Sequence, residues 1–259
     1  MKTQNPSQVK QIIPAFQSQL RMVPSDEPYL NVSEFFMRTI QGEGINIGVP
    51  SAFLRLQNCT LNCLWCDTEE VWRKGNPYTF DELFTLMESS GLMKDLRNGH
   101  HLILTGGSPM RQQQALQDFF EIFLILFGFL PYIEIENECT ILPQGIESII
   151  SCWNNSPKLS NSGNPRILRY HPPVLRELSS YKNSWFKFVV SEINDWKEIE
   201  KEFLATGLIR HDQIILMPQG GDIKELEKNR DMVVKLAVTN GVRFSDRLHV
   251  TLWNTLTGV

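Results

Sequence analysis

The sequence contains no hydrophobic run long enough to cross a bilayer and no excess of positive charge. Its most apolar stretch runs from Phe119 to Leu130 and includes Glu121, and it is shorter than the roughly 20 residues that a spanning helix needs. A formal net charge of −4 argues against broad attraction to nucleic acid or an anionic membrane. The segment from Met1 to Pro6 lacks the apolar core of a signal peptide. We therefore expect a cytoplasmic protein with neither nucleic acid nor membrane as a partner.

Cysteine is scarce and poorly arranged for disulfide bonds. The chain has five cysteines, an odd number, and three of them, Cys59, Cys63 and Cys66, lie within eight residues. Crowding of this kind does not suit a disulfide framework. It indicates a reducing compartment and some other use for the thiols.

The three clustered cysteines predict a metal centre. Their Cys-x3-Cys-x2-Cys spacing supplies three thiolates from one tight loop, and thiolates are the ligands of a cubane iron–sulfur cluster. Three thiolates on four irons would leave one iron open for chemistry. A zinc site is the alternative, because His100, His101 or Cys139 could provide a fourth ligand. Three ordinary buried cysteines are disfavoured by the crowding beside Trp65 and Asp67.

Strand-like and helix-like segments alternate along most of the chain, which favours an α/β fold with a mostly parallel sheet, open or barrel-like. The predicted strands cover residues 33–40, 52–56, 100–105, 131–138, 185–190, 213–217 and 247–253, and the predicted helices cover 79–87, 111–128, 173–181, 195–206 and 222–240. The second half of helix 111–128 is almost entirely apolar, so we expect it to be buried. Residues 1–30 read as a peripheral lead-in with one short helix near Val9 to Leu20.

The cysteine spacing resembles the signature of the radical S-adenosylmethionine enzymes, and its flanks narrow the resemblance. Four segments occur in the order and at the intervals typical of the 7-carboxy-7-deazaguanine synthases: Thr39-Ile-Gln-Gly-Glu-Gly44, Gly48-Val-Pro50, Phe53-Leu-Arg-Leu56 and Trp65-Cys-Asp-Thr68. The resemblance is strong from about residue 33 to residue 68 and continues in patches toward the end of the sequence.

This resemblance implies an incomplete β/α barrel of the radical S-adenosylmethionine type, in a single domain over residues 31–259 with residues 1–30 as a peripheral extension. It implies a carbon–nitrogen lyase that contracts 6-carboxy-5,6,7,8-tetrahydropterin to 7-carboxy-7-deazaguanine with loss of ammonia, on the route to queuosine and other 7-deazapurines. The implied cofactors are a [4Fe-4S] cluster, S-adenosylmethionine, whose cleavage gives an adenosyl radical, and Mg²⁺. A flavodoxin or ferredoxin as reductant and a homodimer are also implied.

The resemblance further implies roles for individual residues. The cluster ligands would be Cys59, Cys63 and Cys66, and Thr68 would bind Mg²⁺. The residues that would contact S-adenosylmethionine are Trp65, Asp67, Gly107, Glu136, Asn137, Glu138, Ser156, Pro157 and Lys158. The residues that would contact the pterin are Ile40, Gln41, Gly42, Glu43, Arg55, Thr105 and Val259. The planar guanidinium of Arg55 suits the substrate carboxylate.

Two positions depart from the family pattern. Ser108 stands where the family commonly has the glutamate of a Gly-Gly-Glu-Pro sequence, and the segment after Glu136 reads Asn-Glu-Cys-Thr in place of a small, glycine-containing run. If that glutamate holds the cofactor's ammonium, a carboxylate is missing, although backbone carbonyls could accept the same hydrogen bonds. Two alternatives stay open: another radical S-adenosylmethionine reaction, such as activation of a glycyl-radical partner, and a zinc-binding module without catalysis.

Overall fold

The computed structural model describes residues 9–17, 19–256 and 258, and the ten strands among them form one sheet. The strands are β1 (Lys10–Ile13), β2 (Tyr29–Ile40), β3 (Pro50–Leu56), β4 (Asn76–Thr79), β5 (His101–Gly106), β6 (Tyr132–Asn137), β7 (Cys152–Asn155), β8 (Ser184–Val190), β9 (Ile214–Pro218) and β10 (Arg243–Phe244). Their order is β1-β2-β3-β5-β6-β7-β8-β9-β10, with β4 paired to β2.

The sheet is parallel from β3 through β10 and antiparallel at its other edge. Each neighbouring pair in the run β3-β5-β6-β7-β8-β9-β10 is parallel, whereas β2 pairs antiparallel with β1, β3 and β4. The strand order ends at β1 and β10, so the sheet is open. The predicted α/β fold with an incomplete barrel is therefore confirmed.

Helices follow most of the parallel strands, as crossover connections require. They are α1 (Glu69–Trp72), α2 (Phe80–Ser90), α3 (Leu92–Arg97), α4 (Gln113–Phe127), α5 (Arg166–Arg169), α6 (Pro172–Ser180), α7 (Ile193–Ile199), α8 (Ile223–Asn240) and α9 (Leu248–Trp253). A π-helical turn, Glu200–Leu204, continues α7. None of the helices in the described residues is long and apolar enough to span a membrane.

Helix α2 begins where its sequence predicts. Thr79 accepts a hydrogen bond from the backbone N–H of Glu82 at 3.2 Å, and the Glu82 carboxylate accepts one from the backbone N–H of Thr79 at 3.0 Å. This reciprocal pair satisfies two donors that a helix start leaves open. The helix ends at Gly91, whose φ of 87° is the left-handed geometry that glycine adopts readily.

Helix α4 packs only one face into the core. Phe119, Phe120 and Phe123 are fully buried, but Leu124 is 45% exposed and Ile125 is 80% exposed. An α-helix beside a sheet buries a single stripe of side chains. The prediction that the whole second half of this helix is buried is therefore wrong.

Two predicted elements have the wrong type. Residues 10–13 lie in strand β1, not in a helix, because the long strand β2 offers its free edge and pairs Lys10 with Met37; Ile13 is only 2% exposed. Residues 248–253 form helix α9, not a strand. There the sheet edge on β9 is already taken by β10, and the Leu248 N–H donates to the Gly42 carbonyl at 2.8 Å.

Candidate active site

One cavity of about 490 Å³ lies at the carboxyl ends of the parallel strands. Parallel strands present these ends at the same edge of a sheet, where ligand sites of α/β proteins are found. The cavity gathers predicted residues from both halves of the chain: Ile40, Gln41, Gly42, Glu43, Arg55, Cys59, Cys63, Trp65, Cys66, Asp67, Thr68, Thr105, Gly107, Glu136, Asn137, Glu138, Ser156 and Lys158. Pro157 does not line the cavity, and Val259 lies outside the described residues, although its neighbour Gly258 lines the cavity.

The cysteine loop lies between β3 and α1, and its three cysteines line the cavity. All three cysteines are free and partly buried, and each sulfur accepts a hydrogen bond. The donors are the Leu61 N–H to Cys59 at 3.4 Å, the Asn164 amide to Cys63 at 3.2 Å and the Trp72 indole to Cys66 at 3.4 Å. Burial raises the pKa of Cys59 to about 11, so ligand binding there must displace a proton.

The fourth ligands considered for zinc, His100, His101 and Cys139, do not line the cavity. His101 begins β5, at the opposite end of the strand from the cavity, and its ring stacks on Tyr132 with 3.9 Å between the ring centroids. Cys139 is fully buried and its thiol donates to the Asn137 carbonyl at 3.6 Å. Among the described residues, no three His, Cys, Asp or Glu side chains, the three loop cysteines included, are grouped so that they could hold a single metal ion. A cubane cluster differs, because each of its thiolates binds a different iron.

A buried charge network crosses the cavity. Glu43, just after β2, pairs with Lys187 of β8 and with Arg247, whose Nε lies 2.9 Å from Glu43 Oε1. Arg247 also reaches Asp67 of the cysteine loop, with 2.5 Å between Nη2 and Oδ2. Burial alone would raise the pKa of Glu43, but the charges of Lys187 and Arg247 hold that pKa well below its usual range. Glu43 is therefore ionised.

Lys187, Arg247 and His249 also line the cavity, although the sequence predicts no role for them. A signal was present for Lys187, because a lysine in the middle of an otherwise apolar strand must find a counter-charge when the strand is buried. Arg247 gave no such signal, since its partners lie 180 and 204 residues away in the sequence.

Arg55 points from β3 into the cavity beside an acidic partner. Its Nε lies 2.7 Å from Glu34 Oε1 on β2, and the Glu34 side chain is 1% exposed. A guanidinium has five N–H donors, so this pair fixes the group and leaves donors for a ligand. On the next strand, the Thr105 hydroxyl donates to Glu136 Oε2 at 2.6 Å.

The Gln41 side chain is held by a buried carboxyl group whose pKa is unusually high. Its amide donates to Glu134 Oε1 at 2.6 Å, where the Asn154 amide also donates at 3.0 Å, and the Asn46 amide donates to Oε2 at 2.6 Å. Burial outweighs these hydrogen bonds and raises the pKa of Glu134 to about 7. The carboxyl therefore changes charge near neutral pH.

Comparison with known proteins identifies the family. Residues 40–125 match the model of a 4Fe-4S single cluster domain. The 7-carboxy-7-deazaguanine synthase of Pyrobaculum aerophilum is 30% identical over 237 residues, which cover 90% of this chain and 99% of that protein. This chain belongs to the 7-carboxy-7-deazaguanine synthase family. The synthase of Halobacterium salinarum is also 30% identical, over 88% of this chain and 92% of the other.

A solved structure shows the same fold. The crystal structure of QueE from Escherichia coli superimposes with a TM-score of 0.63 at 23% identity, covering 85% of this chain and 95% of that one. The predicted family and the incomplete barrel are thus confirmed.

The residues present fit the iron–sulfur cluster of a 7-carboxy-7-deazaguanine synthase. Three thiols on one loop face a common cavity, and each has a donor that would stabilise a thiolate. Gly107 lets the end of β5 approach this loop, because a Cβ there would lie 2.3 Å from the Asn58 carbonyl oxygen and 2.7 Å from Cys59 Cβ. The loop and the Gly-Gly turn therefore form one wall.

We predict that Gly107→Ala displaces the cysteine loop, because backbone at Asn58 cannot move aside cheaply. Iron and sulfide per chain after anaerobic reconstitution should fall, with the helix content unchanged, because overpacking shifts the backbone locally. Gly221→Ala is the matched control, since a Cβ there has no neighbour nearer than 3.8 Å. Equal iron content in both variants would contradict the close contact between the two turns.

We predict that the titration of Glu134 makes the free energy of unfolding fall as pH rises. Its pKa is raised above the ordinary value of 4.5 to about 7, so between these values the folded chain holds a proton that the unfolded chain has lost. The free energy of unfolding should fall by up to about 1.4 kcal/mol per pH unit in this window, relative to Glu134→Gln. Urea unfolding of both proteins from about pH 4.5 to about pH 8 measures this. Parallel pH profiles would contradict it.

Proposed function

We propose that this protein converts 6-carboxy-5,6,7,8-tetrahydropterin to 7-carboxy-7-deazaguanine with loss of ammonia, as a carbon–nitrogen lyase of queuosine and 7-deazapurine biosynthesis. The observation that carries the proposal is that the three-cysteine loop and the Glu43–Lys187–Arg247 network line the same cavity. The family relatives named as 7-carboxy-7-deazaguanine synthases support it.

The cofactors in this proposal are a [4Fe-4S] cluster on Cys59, Cys63 and Cys66, S-adenosylmethionine and Mg²⁺. When bound together, the cluster and S-adenosylmethionine supply the one-electron chemistry that removes a hydrogen atom from the substrate. Trp65 and Asp67 extend the wall beside the thiols. The Thr68 hydroxyl, also in the wall, is an oxygen donor of the kind that Mg²⁺ takes.

The charged side chains suit the two ends of the pterin. The substrate carries a carboxylate, which the spare donors of Arg55 can bind in a planar, bidentate manner. It also carries N–H groups on its aminopyrimidine ring, and an ionised carboxylate such as Glu43 can accept hydrogen bonds from them. Lys187 and Arg247 keep Glu43 charged in this buried position, so the acceptor is preorganised before the substrate arrives.

Apolar side chains line the remainder of the cavity and limit water in it. Phe36 and Phe53 stack with 5.2 Å between ring centroids, and both line the cavity together with Val189 and Met217. Exclusion of water protects a radical from side reactions. A one-electron reductant such as a flavodoxin or ferredoxin, a homodimeric assembly and a cytoplasmic location complete the proposal, on the family resemblance.

Anaerobic reconstitution followed by product analysis tests the proposal. With S-adenosylmethionine, Mg²⁺ and reductant, we expect one 7-carboxy-7-deazaguanine and one ammonia per pterin consumed. Cys63→Ala should lose both the cluster and all activity, whereas Cys152→Ala should keep both, because Cys152 lies in the core and outside the cavity.

The other outcomes separate the alternatives. Cleavage of S-adenosylmethionine by an intact cluster without any deazapurine would refute the substrate and favour another radical reaction, such as activation of a glycyl-radical partner. Stoichiometric zinc without iron and sulfide would refute the cluster and favour a binding module.

A further inference from the structure

Ser108 cannot do what a glutamate at its position would do. It is fully buried and is not part of the cavity wall, whereas its neighbours Gly106 and Gly107 are. Its backbone N–H donates to the Asn58 carbonyl at 2.8 Å. Its side chain is committed elsewhere, because the hydroxyl donates to Glu138 Oε1 at 2.7 Å.

Glu138 places a carboxylate at the same wall from the neighbouring strand. It follows the end of β6, lines the cavity and is 5% exposed. Three hydroxyls donate to its Oε1: Ser108 at 2.7 Å, Thr140 at 2.6 Å and Thr60 at 3.1 Å. Because Thr60 follows Cys59 directly, this carboxylate is tied to the cysteine loop.

The second oxygen of Glu138 has no partner. Among the described residues, Oε2 is buried and accepts no hydrogen bond. A buried carboxylate oxygen without a donor is costly, so three hydroxyls on one oxygen and none on the other indicate a donor that comes with a ligand. Lys158, a cation in the same wall, donates instead to the Ser156 carbonyl and hydroxyl, both at 2.8 Å.

We propose that Glu138 Oε2 accepts the α-ammonium group of S-adenosylmethionine, so that β6 supplies the carboxylate that the sequence lacks at position 108. This inference rests on the proposed function, which provides the cofactor. An amino-acid ammonium is a compact cation with several N–H donors, and pairing it with a preoriented carboxylate gives a charge-assisted hydrogen bond. Ser108 is then a positioning residue, because its hydroxyl occupies Oε1 and leaves Oε2 without a donor.

The residues at 108 and 138 act as a matched pair. A glutamate at both positions would put two carboxylates within contact of each other, since Ser108 Oγ lies 2.7 Å from Glu138 Oε1, and like charges this close repel. One serine and one glutamate avoid this repulsion and keep a single charge at the wall.

The experiment compares cofactor affinity in anaerobically reconstituted protein by equilibrium dialysis. S-adenosylmethionine and S-adenosylhomocysteine both carry the α-ammonium, but only the former has a sulfonium charge. Glu138→Gln should weaken both ligands by roughly 10- to 100-fold with iron content unchanged. Glu121→Gln, an exposed position on α4, is the control and should bind both ligands normally.

Two results would overturn the inference: unchanged affinities in Glu138→Gln, or weaker binding of S-adenosylmethionine alone, which would assign the sulfonium to Glu138. If Glu138→Gln fails to take up iron, Glu138→Asp keeps the charge but withdraws it by one methylene, and should weaken both ligands severalfold; unchanged affinity there would also overturn it. Failure of the proposed function is distinguishable, because it would appear as absent deazapurine in the unmutated protein whatever the affinities are.

Discussion

The site depends on the charge network around Glu43, in which Lys187 is buried, Glu43 and Arg247 are nearly buried and Asp67 is one-third exposed. It joins four segments that are far apart in the sequence: the turn after β2, the middle of β8, the cysteine loop and the start of α9, through Glu43, Lys187, Asp67 and Arg247. Breaking one member of a buried pair leaves an uncompensated charge. The ion pairs thus connect the elements around the cavity of this open sheet, whereas in a closed barrel strand pairing would connect them.

The network also relates the two halves of the cavity to each other. Asp67 comes directly after Cys66, so Arg247 connects the cysteine loop to the Glu43 carboxylate. A ring contraction by hydrogen abstraction requires the cofactor and the substrate at a fixed separation. The ion pairs hold the turn at Glu43 and the cysteine loop in place relative to each other, as such a separation requires.

The local parts of the site were predictable from the sequence, and the long-range parts were not. Cys59, Cys63 and Cys66 lie on one loop, and Thr79 and Glu82 form one capping box; such features depend on spacing alone. Strand β1 and helix α9 were assigned the wrong type, because β1 exists through its pairing with β2 and α9 packs near Gly42. Neither partner is visible in a local pattern. From the sequence, Ser108 indicates only a missing carboxylate, whereas the structure shows the Glu138 carboxylate beside it.

The lining of the cavity predicts that cluster, cofactor and pterin bind side by side. A structure of the anaerobically reconstituted protein with S-adenosylmethionine and 6-carboxytetrahydropterin bound would test this joint site. We expect both molecules in this cavity, with the pterin carboxylate on Arg55 and its ring N–H groups on Glu43. A pterin bound outside the cavity, or inside it without contact to Glu43 and Arg55, would refute the joint site.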